Sequence, residues 1–278
     1  MTFRSRAGTL RAVGSLEHLD AWLPELERSA LAGRRESRRC TLGEWHAFYK
    51  GSALRGKHAL RHALRRALGW SDIPRLQEFE NLTWLREHGF LAPRPLLAGV
   101  FTRSGVPRFQ FLCTEFVADA PTLDAWLART SRWGALAAVA QSERASVVSA
   151  LARDLAQLHS LGFVHRDLFA RNLLVSSAGG ARRIVFLDAW RGGPRRGSRG
   201  PEHDVACFFL DGASLLEREE QALFLSTYGA ERARCGRALP RGWLGRVERC
   251  RKGVFRRESR RRGASVPAEW APPALPDS

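Results

Sequence analysis

The chain has 278 residues, 44% apolar and 9% aromatic, a globular composition with room for one large core or two small lobes, which excludes disorder of the whole chain. Its 45 Lys+Arg against 28 Asp+Glu give a net charge of +17, nearly all of the basic excess arginine, which suits an anionic partner such as a phosphorylated sugar, an anionic lipid surface or a nucleic acid. Five scattered cysteines, Cys40, Cys113, Cys207, Cys235 and Cys250, have no C-x-x-C spacing and point to a reducing compartment without a zinc site.

No stretch reaches the roughly 18 apolar residues of a membrane span, and no apolar signal core follows the N-terminus. Arg4, Arg6 and Arg11 precede the first acid, Glu17, and read as a basic arm. Residues 1–30 are expected to form an accessory element with a helix-like stretch around Leu16–Leu31. Arg38–Lys50, RRCTLGEWHAFYK, reads as two short strands around a turn at Leu42–Glu44. No G-x-G-x-x-G precedes or follows it upstream of the catalytic motifs; Gly33 and Gly43 are the only glycines there that could cover phosphates.

Lys50 ends the aromatic strand, where a lysine could reach the α/β-phosphates of a nucleotide or simply snorkel at the surface. A helix is expected from Ser71 or Asp72 as N-cap, with Pro74 in the first turn, to about Glu87. Within it Glu78 shares a face with Leu82 and Leu85, and a carboxylate on an apolar face wants a cation, which Lys50 could supply. Glu80 is the substitute in a shifted register. The intervening GKHALRHALRRALGW reads as a basic surface helix or a solvated connector.

Strands are expected at Leu96–Phe101 and Arg108–Phe116. Backbone groups near Glu115–Val117 are placed to hold adenine, with a linker at 118–121 and a helical lobe starting at Thr122 or Asp124. Ala145–Ser160 is a strong amphipathic helix, with Val148, Leu151, Leu155 and Leu158 on one face and Gly162 as its stop.

The next stretch is the most specific. FVHRDLFARNLLV, residues 163–175, presents His-Arg-Asp-Leu-x-x-x-Asn between apolar runs, and IVFLDAW, residues 184–190, delivers a second aspartate from a neighbouring strand. Phosphoryl transfer from ATP asks for an acceptor hydroxyl held in line and a cation to spread the developing charge. Asp167 is the expected base, Arg166 supports the loop, and Asn172 and Asp188 offer hard oxygen donors for Mg²⁺. Ser176–Ala181 is a suitable reversal between the two strands.

After Asp188 there is no room for the long peptide-docking segment of a protein kinase. RGGPRRGSRG carries Arg191, Arg195 and Arg196, which suit a small anionic acceptor because guanidinium groups bind phosphate bidentately. Asp204 opens the following helix and could bond the catalytic-loop backbone or only favour the helix dipole. From about Gly242 a basic helix leads to a proline-rich tail expected to be disordered.

With these residues in view, the chain resembles the lipopolysaccharide kinase family, the Kdo and heptose kinases of the lipid A inner core. The resemblance runs from about Arg35 to Leu210 and rests on Tyr49–Lys50, QEFENLTWLREHGFLAPRPL, HRDLFARN, LDAWR with Arg191, and Asp204. It departs at Ala189–Trp190, where a phenylalanine or similar residue usually follows the metal aspartate, and DLFARN also resembles tyrosine kinases. The resemblance implies an α+β, two-lobed protein-kinase-like fold with a small β-rich N-lobe and a mainly helical C-lobe. It also implies ATP and Mg²⁺ as cofactors and work at the cytoplasmic face of the inner membrane. The expected division is 1–30 accessory arm, 31–117 nucleotide-binding lobe, 118–245 catalytic lobe, and 246–278 basic helix and tail. The expected activity is phosphorylation of a sugar hydroxyl on a lipid-linked anionic saccharide. Kinases of other small molecules or of protein, and a partner-binding pseudokinase, are the rivals. A polycationic acceptor is mismatched to a charge of +17, and the basic runs lack the interleaved aromatic residues of a nucleic-acid binder.

Overall fold

The computed structural model describes residues 2–14, 19–42, 44–56, 73–130, 137–177, 180, 182–194, 200–212 and 214–262. The chain divides into two units, Met1–Ala118 and Asp119–Ser278, the first β-rich and the second mainly helical.

The first unit is built on a six-stranded sheet from β1 (Thr2–Ser5), β2 (Gly8–Gly14), β3 (Glu36–Leu42), β4 (Trp45–Ala53), β5 (Pro95–Arg103) and β6 (Val106–Glu115). Their order is β1-β2-β5-β6-β4-β3, and every neighbouring pair is antiparallel. Residues 1–30 are therefore not an accessory arm. β2 pairs with β5 from Thr9↔Thr102 to Gly14↔Leu97 and carries Leu10 and Ala12 into the core. Alternating Leu10 and Ala12 supply one buried face, a period-2 signal that the arginines around it obscure.

Helix α1 (Leu19–Ala32) covers one sheet face, burying Leu19, Trp22 and Leu26 with Ala47, Tyr49, Leu97, Phe109, Phe111 and Cys113. Trp22 and Tyr49 rings lie 5.9 Å apart, and the Trp22 Nε1–H donates to the Thr41 carbonyl at 3.3 Å. Burial raises the pKa of both Tyr49 and Cys113, keeping them neutral. Alternation along β4 sends Tyr49 to this core and Lys50 to the opposite face.

Helix α2 (Pro74–Glu87) packs on β5 and β6 through buried Leu76, Leu82 and Leu85. Its N-cap is Ile73, extended and fully buried, without a side-chain cap; Pro74 starts the helix. Ser71 and Asp72, expected as caps, lie outside the described residues, as does most of the basic insertion (57–70).

The second unit is mainly α3 (Leu123–Arg129), α4 (Ala137–Ser160), α5 (Pro201–Asp211), α6 (Arg218–Arg234) and α7 (Trp243–Arg262). Between α4 and α5 run β7 (Phe163–Val164), β8 (Leu173–Ser176), β9 (Arg183–Phe186) and β10 (Gly193–Pro194), paired as β8-β9 and β7-β10. α4 packs on α6, and α5 on α7. Phe208, Phe209, Phe224, Tyr228 and Trp243 form a continuous aromatic column from α5 through α6 to α7, with neighbouring ring centroids 4.9 to 6.2 Å apart. Helix α7 is therefore part of this unit, with Trp243, Val247, Arg251, Val254 and Glu258 on its buried face.

Candidate active site

In unit 1 the candidate residues gather on Glu78. Its residue is fully buried, and its Oε1 accepts from Lys50 Nζ at 3.0 Å, so the register with Glu78 rather than Glu80 facing Lys50 is the one adopted. Arg75, one turn earlier, donates from Nη1 to Glu78 Oε2. Two cations thus meet one buried carboxylate, which offsets the cost of burying it. Arg75 was legible only as an i,i+3 partner of Glu78. Its backbone N–H also donates to Gln110 Oε1 at 3.1 Å, tying the helix start to β6.

Two of the backbone donors around Glu115–Val117 are committed inside the unit. The Glu115 N–H donates to the Arg94 carbonyl at 2.8 Å and the Phe116 N–H to the His46 carbonyl at 2.7 Å. Any adenine contact from this segment therefore falls to carbonyls or to the Val117 backbone.

In unit 2 the loop between β7 and β8 is held by Asp204, on the first turns of α5. The Asp204 carboxylate is fully buried and accepts from two consecutive backbone N–H groups, His165 at 2.6 Å and Arg166 at 2.6 Å. It accepts also from His159 Nε2 at 3.2 Å. Burial alone would raise the Asp204 pKa; the hydrogen bonds it accepts from His159 and His203 outweigh it and lower it. The carboxylate is therefore ionised. His159 must donate from Nε2, leaving Nδ1 as acceptor for the Tyr228 hydroxyl at 2.7 Å; burial keeps that phenol protonated.

His165 closes a second link. Its Nε2 donates to the Leu187 carbonyl at 2.7 Å, joining the loop to the residue before Asp188. Gly192 permits the same approach, since a Cβ there would meet the Val164 carbonyl oxygen at 2.5 Å. Arg166 and Asp188 both adopt positive φ, 65° and 54°, conformations that non-glycine residues hold only when their surroundings over-determine them. Here Asp204 and His165 supply that determination.

Asn172 Nδ2 donates to the Asp167 carbonyl at 2.8 Å, which turns its Oδ1 the other way. The Leu187 N–H donates to the Asn172 carbonyl at 2.9 Å, so Asn172 and Asp188 stand at the same end of the β8-β9 pair. Among the described residues no three His, Cys, Asp or Glu side chains gather into an all-protein metal cage. An amide oxygen with one carboxylate is the donor set of a hard cation that completes its shell with phosphate oxygens and water, so these residues fit Mg²⁺.

Asp167 Oδ1 lies 3.6 Å from Arg191 Nη1, and the Arg191 guanidinium stacks over Trp190 at 4.6 Å. Arg191 is thus beside the candidate base. Arg195 and Arg196 lie outside the described residues. Arg171 stacks on Phe169 at 3.9 Å and so is turned to the loop itself.

A family model described as "Lipopolysaccharide kinase (Kdo/WaaP) family" matches residues 22–224. The chain belongs to this family. It is therefore a kinase of lipopolysaccharide biosynthesis, an ATP-dependent phosphotransferase. A solved structure titled "WaaP in complex with acyl carrier protein" is similar to the kinase at 19% identity, covering 88% of this chain and 99% of that one with a TM-score of 0.58, which supports the α+β kinase-like fold. "Structure of the microcompartment-associated aminopropanol kinase" is more distant, at 16% identity and a TM-score of 0.42, covering 82% of this chain and 86% of that one. No curated protein sequence matches the chain.

Proposed function

We propose that this kinase transfers the γ-phosphoryl group of ATP to a sugar hydroxyl, on a Kdo or heptose residue of a lipid-linked, anionic saccharide of the lipopolysaccharide inner core. The observation that carries the choice of acceptor is Arg191 at 3.6 Å from Asp167, which sets a guanidinium beside the atom that would receive the acceptor's proton. Bound Mg²⁺ supplies charge neutralisation at the phosphates, and Asn172 and Asp188 are the residues that would hold it. Asp167 orients the acceptor hydroxyl and takes its proton as the new O–P bond forms and the bond to ADP breaks. Lys50, held by Glu78, grips the α/β-phosphates, while the backbone of Glu115 and Val117 faces adenine. Arg166 supports the loop through its backbone bond to Asp204. Arg191, with Arg195 and Arg196, receives the negative groups of the acceptor.

Such an acceptor is made on the cytoplasmic side of an inner membrane, which places the kinase there as a peripheral protein. Among the described residues no helix is long and apolar enough to cross a membrane. The test is transfer of labelled γ-phosphate from Mg·ATP to purified lipid A–core glycolipid beside a generic protein acceptor, with Asp167→Asn as control. Label in the glycolipid that disappears in the variant is expected. Label in protein alone would replace this reading with that of a protein kinase, and no label anywhere with ATP still bound would point to another small acceptor or a pseudokinase.

A further inference from the structure

Helix α7 has two faces of different character. Trp243, Val247, Arg251, Val254 and Glu258 recur at intervals of four, four, three and four residues and are buried. On the opposite side of the helix, Arg249, Lys252, Arg256 and Arg260 recur at three, four and four, and all are exposed. Arg257 flanks this row, and Arg256, Arg257 and Arg260 surround a shallow depression floored by Gly253. The two acids of the helix offset this row only in part, through Glu248 at 3.9 Å from Lys252 and Glu258 at 3.5 Å from Arg257, and leave Arg249, Arg256 and Arg260 as its cations. Glu248 pairs with the buried Arg251 at 2.9 Å, and Glu258 belongs to the buried face. The result is a cationic row that spans about 16 Å at the rise of 1.5 Å per residue.

The same face carries no apolar anchor. Every residue that α7 exposes among the described ones is Arg, Lys or Gly. Protein interfaces depend on a desolvated core of aromatic and aliphatic anchors, and single-stranded nucleic-acid platforms depend on exposed aromatic rings. A row of guanidinium groups with neither is suited to a surface of dispersed phosphates, to which it binds through charge alone.

We propose that the outer face of α7 is a docking surface for anionic phospholipid, on which the kinase rests through Arg249, Lys252, Arg256 and Arg260. The choice of a membrane as occupant rests on the lipid-linked acceptor proposed above. Contact is electrostatic, without insertion, and so it weakens steeply with salt. The helix touches the membrane with the face opposite to the one that packs on α5, so docking leaves the fold undisturbed.

The test is co-sedimentation of the full-length protein with phosphatidylcholine vesicles and with vesicles containing about 30 mol% phosphatidylglycerol, a charge density of the order of natural anionic leaflets. Binding to the anionic vesicles alone, lost on raising the salt, is expected. In the triple variant Arg249→Gln, Arg256→Gln, Arg260→Gln, partition should fall on the order of 100-fold, taking roughly a factor of five per cation near the surface. The triple variant to Lys should restore it. A control triple on the other unit, Arg28→Gln, Arg34→Gln, Arg35→Gln, removes the same charge from exposed positions and should leave partition within about twofold if the site rather than the net charge binds. Unchanged thermal unfolding of each variant checks the fold.

Equal loss in the control triple overturns the proposal, as does full binding by the α7 variant. Stronger retention on duplex RNA than on anionic vesicles, abolished by the α7 substitutions, would reassign the face to nucleic acid. Competition by millimolar inorganic phosphate would reduce it to a site for the free ion. Transfer to detergent-dispersed glycolipid, assayed separately, reports on the acceptor; failure there with vesicle binding intact would overturn the acceptor and leave the docking surface.

Discussion

Asp204 shows how one side chain sets the geometry of a loop that carries others. Its two oxygens take the N–H groups of His165 and Arg166 at 2.6 Å, and Arg166 adopts its positive φ as a consequence. Asp204→Asn would present an amide N–H₂ to one of these donors. Transfer activity should fall at least roughly 100-fold with ATP affinity nearly retained, since Lys50 and Glu78, the residues proposed to hold the nucleotide phosphates, lie elsewhere; steady-state kinetics beside a nucleotide-binding titration checks this split. Because its pKa is lowered on folding, Asp204 contributes stability above the ordinary carboxylate range, lost as the pH falls below about 4. Asp154 works in the other direction. Burial outweighs the nearby Arg183 and Arg153 and raises its pKa to about 6, so its ionisation opposes folding above that pH. Asp154→Asn should therefore add roughly 1 kcal/mol of stability at pH 8, discounted for partial exposure, and the gain should vanish between about pH 6 and pH 4; urea unfolding at a series of pH values measures it. At the acceptor side, Arg191→Ala should raise KM for an anionic acceptor about tenfold or more, while KM for ATP stays near its original value.

At the scale of elements, buried ion pairs join segments that the sequence keeps far apart. Arg144 on α4 forms a bidentate pair with Glu220 on α6, both bonds 2.7 Å, and also donates to the carbonyls of Leu127 and Leu215 at 2.8 Å. Glu220 in turn accepts from the Glu217 N–H at 2.9 Å and closes the capping box of α6. Glu220→Ala would leave a buried guanidinium uncompensated, and a loss of about 3–5 kcal/mol is expected in urea unfolding. Replacing Arg144 and Glu220 together by Met and Leu should cost less than Glu220→Ala alone, because no charge is then stranded. Helix α6 itself was not anticipated. Its buried face, Glu220, Gln221, Phe224, Tyr228 and Glu231, is mostly polar, so no apolar period marks it. By contrast α4 and α2 were legible, because leucines at helical spacing with Gly162 or Pro74 as punctuation report burial directly. The aspartates and asparagine of the loop were legible for a chemical reason: the spacing from Asp167 to Asn172 is what lets the Asn172 amide reach the Asp167 carbonyl.

For the molecule as a whole, the residues proposed to act in catalysis fall in two separately packed units, Lys50 and Glu78 in one and Asp167, Asn172 and Asp188 in the other. If nucleotide engages both sets of residues, Mg·ATP should raise the unfolding temperature by several degrees, and ATP with EDTA should not; Lys50→Met and Asp188→Asn should each abolish the shift. A full shift in Asp188→Asn would remove that residue from the metal site. What the sequence determined by itself is which residues to propose for the chemistry: Asp167, Asn172 and Asp188 from the spacing of short motifs between apolar runs, and Glu78, with Glu80 as its substitute, from the hydrophobic period of its helix. The tertiary structure decided what spacing cannot encode. Residues 2–14 become sheet strands because β5 offers them an edge across some ninety residues of chain, as in Thr9↔Thr102. Arg75 joins Lys50 on Glu78, Arg144 finds Glu220, and Asp204 sets the tautomer of His159 that accepts from Tyr228. These are contacts between polar groups that only burial makes consequential, because water would satisfy each of them equally well in the unfolded chain.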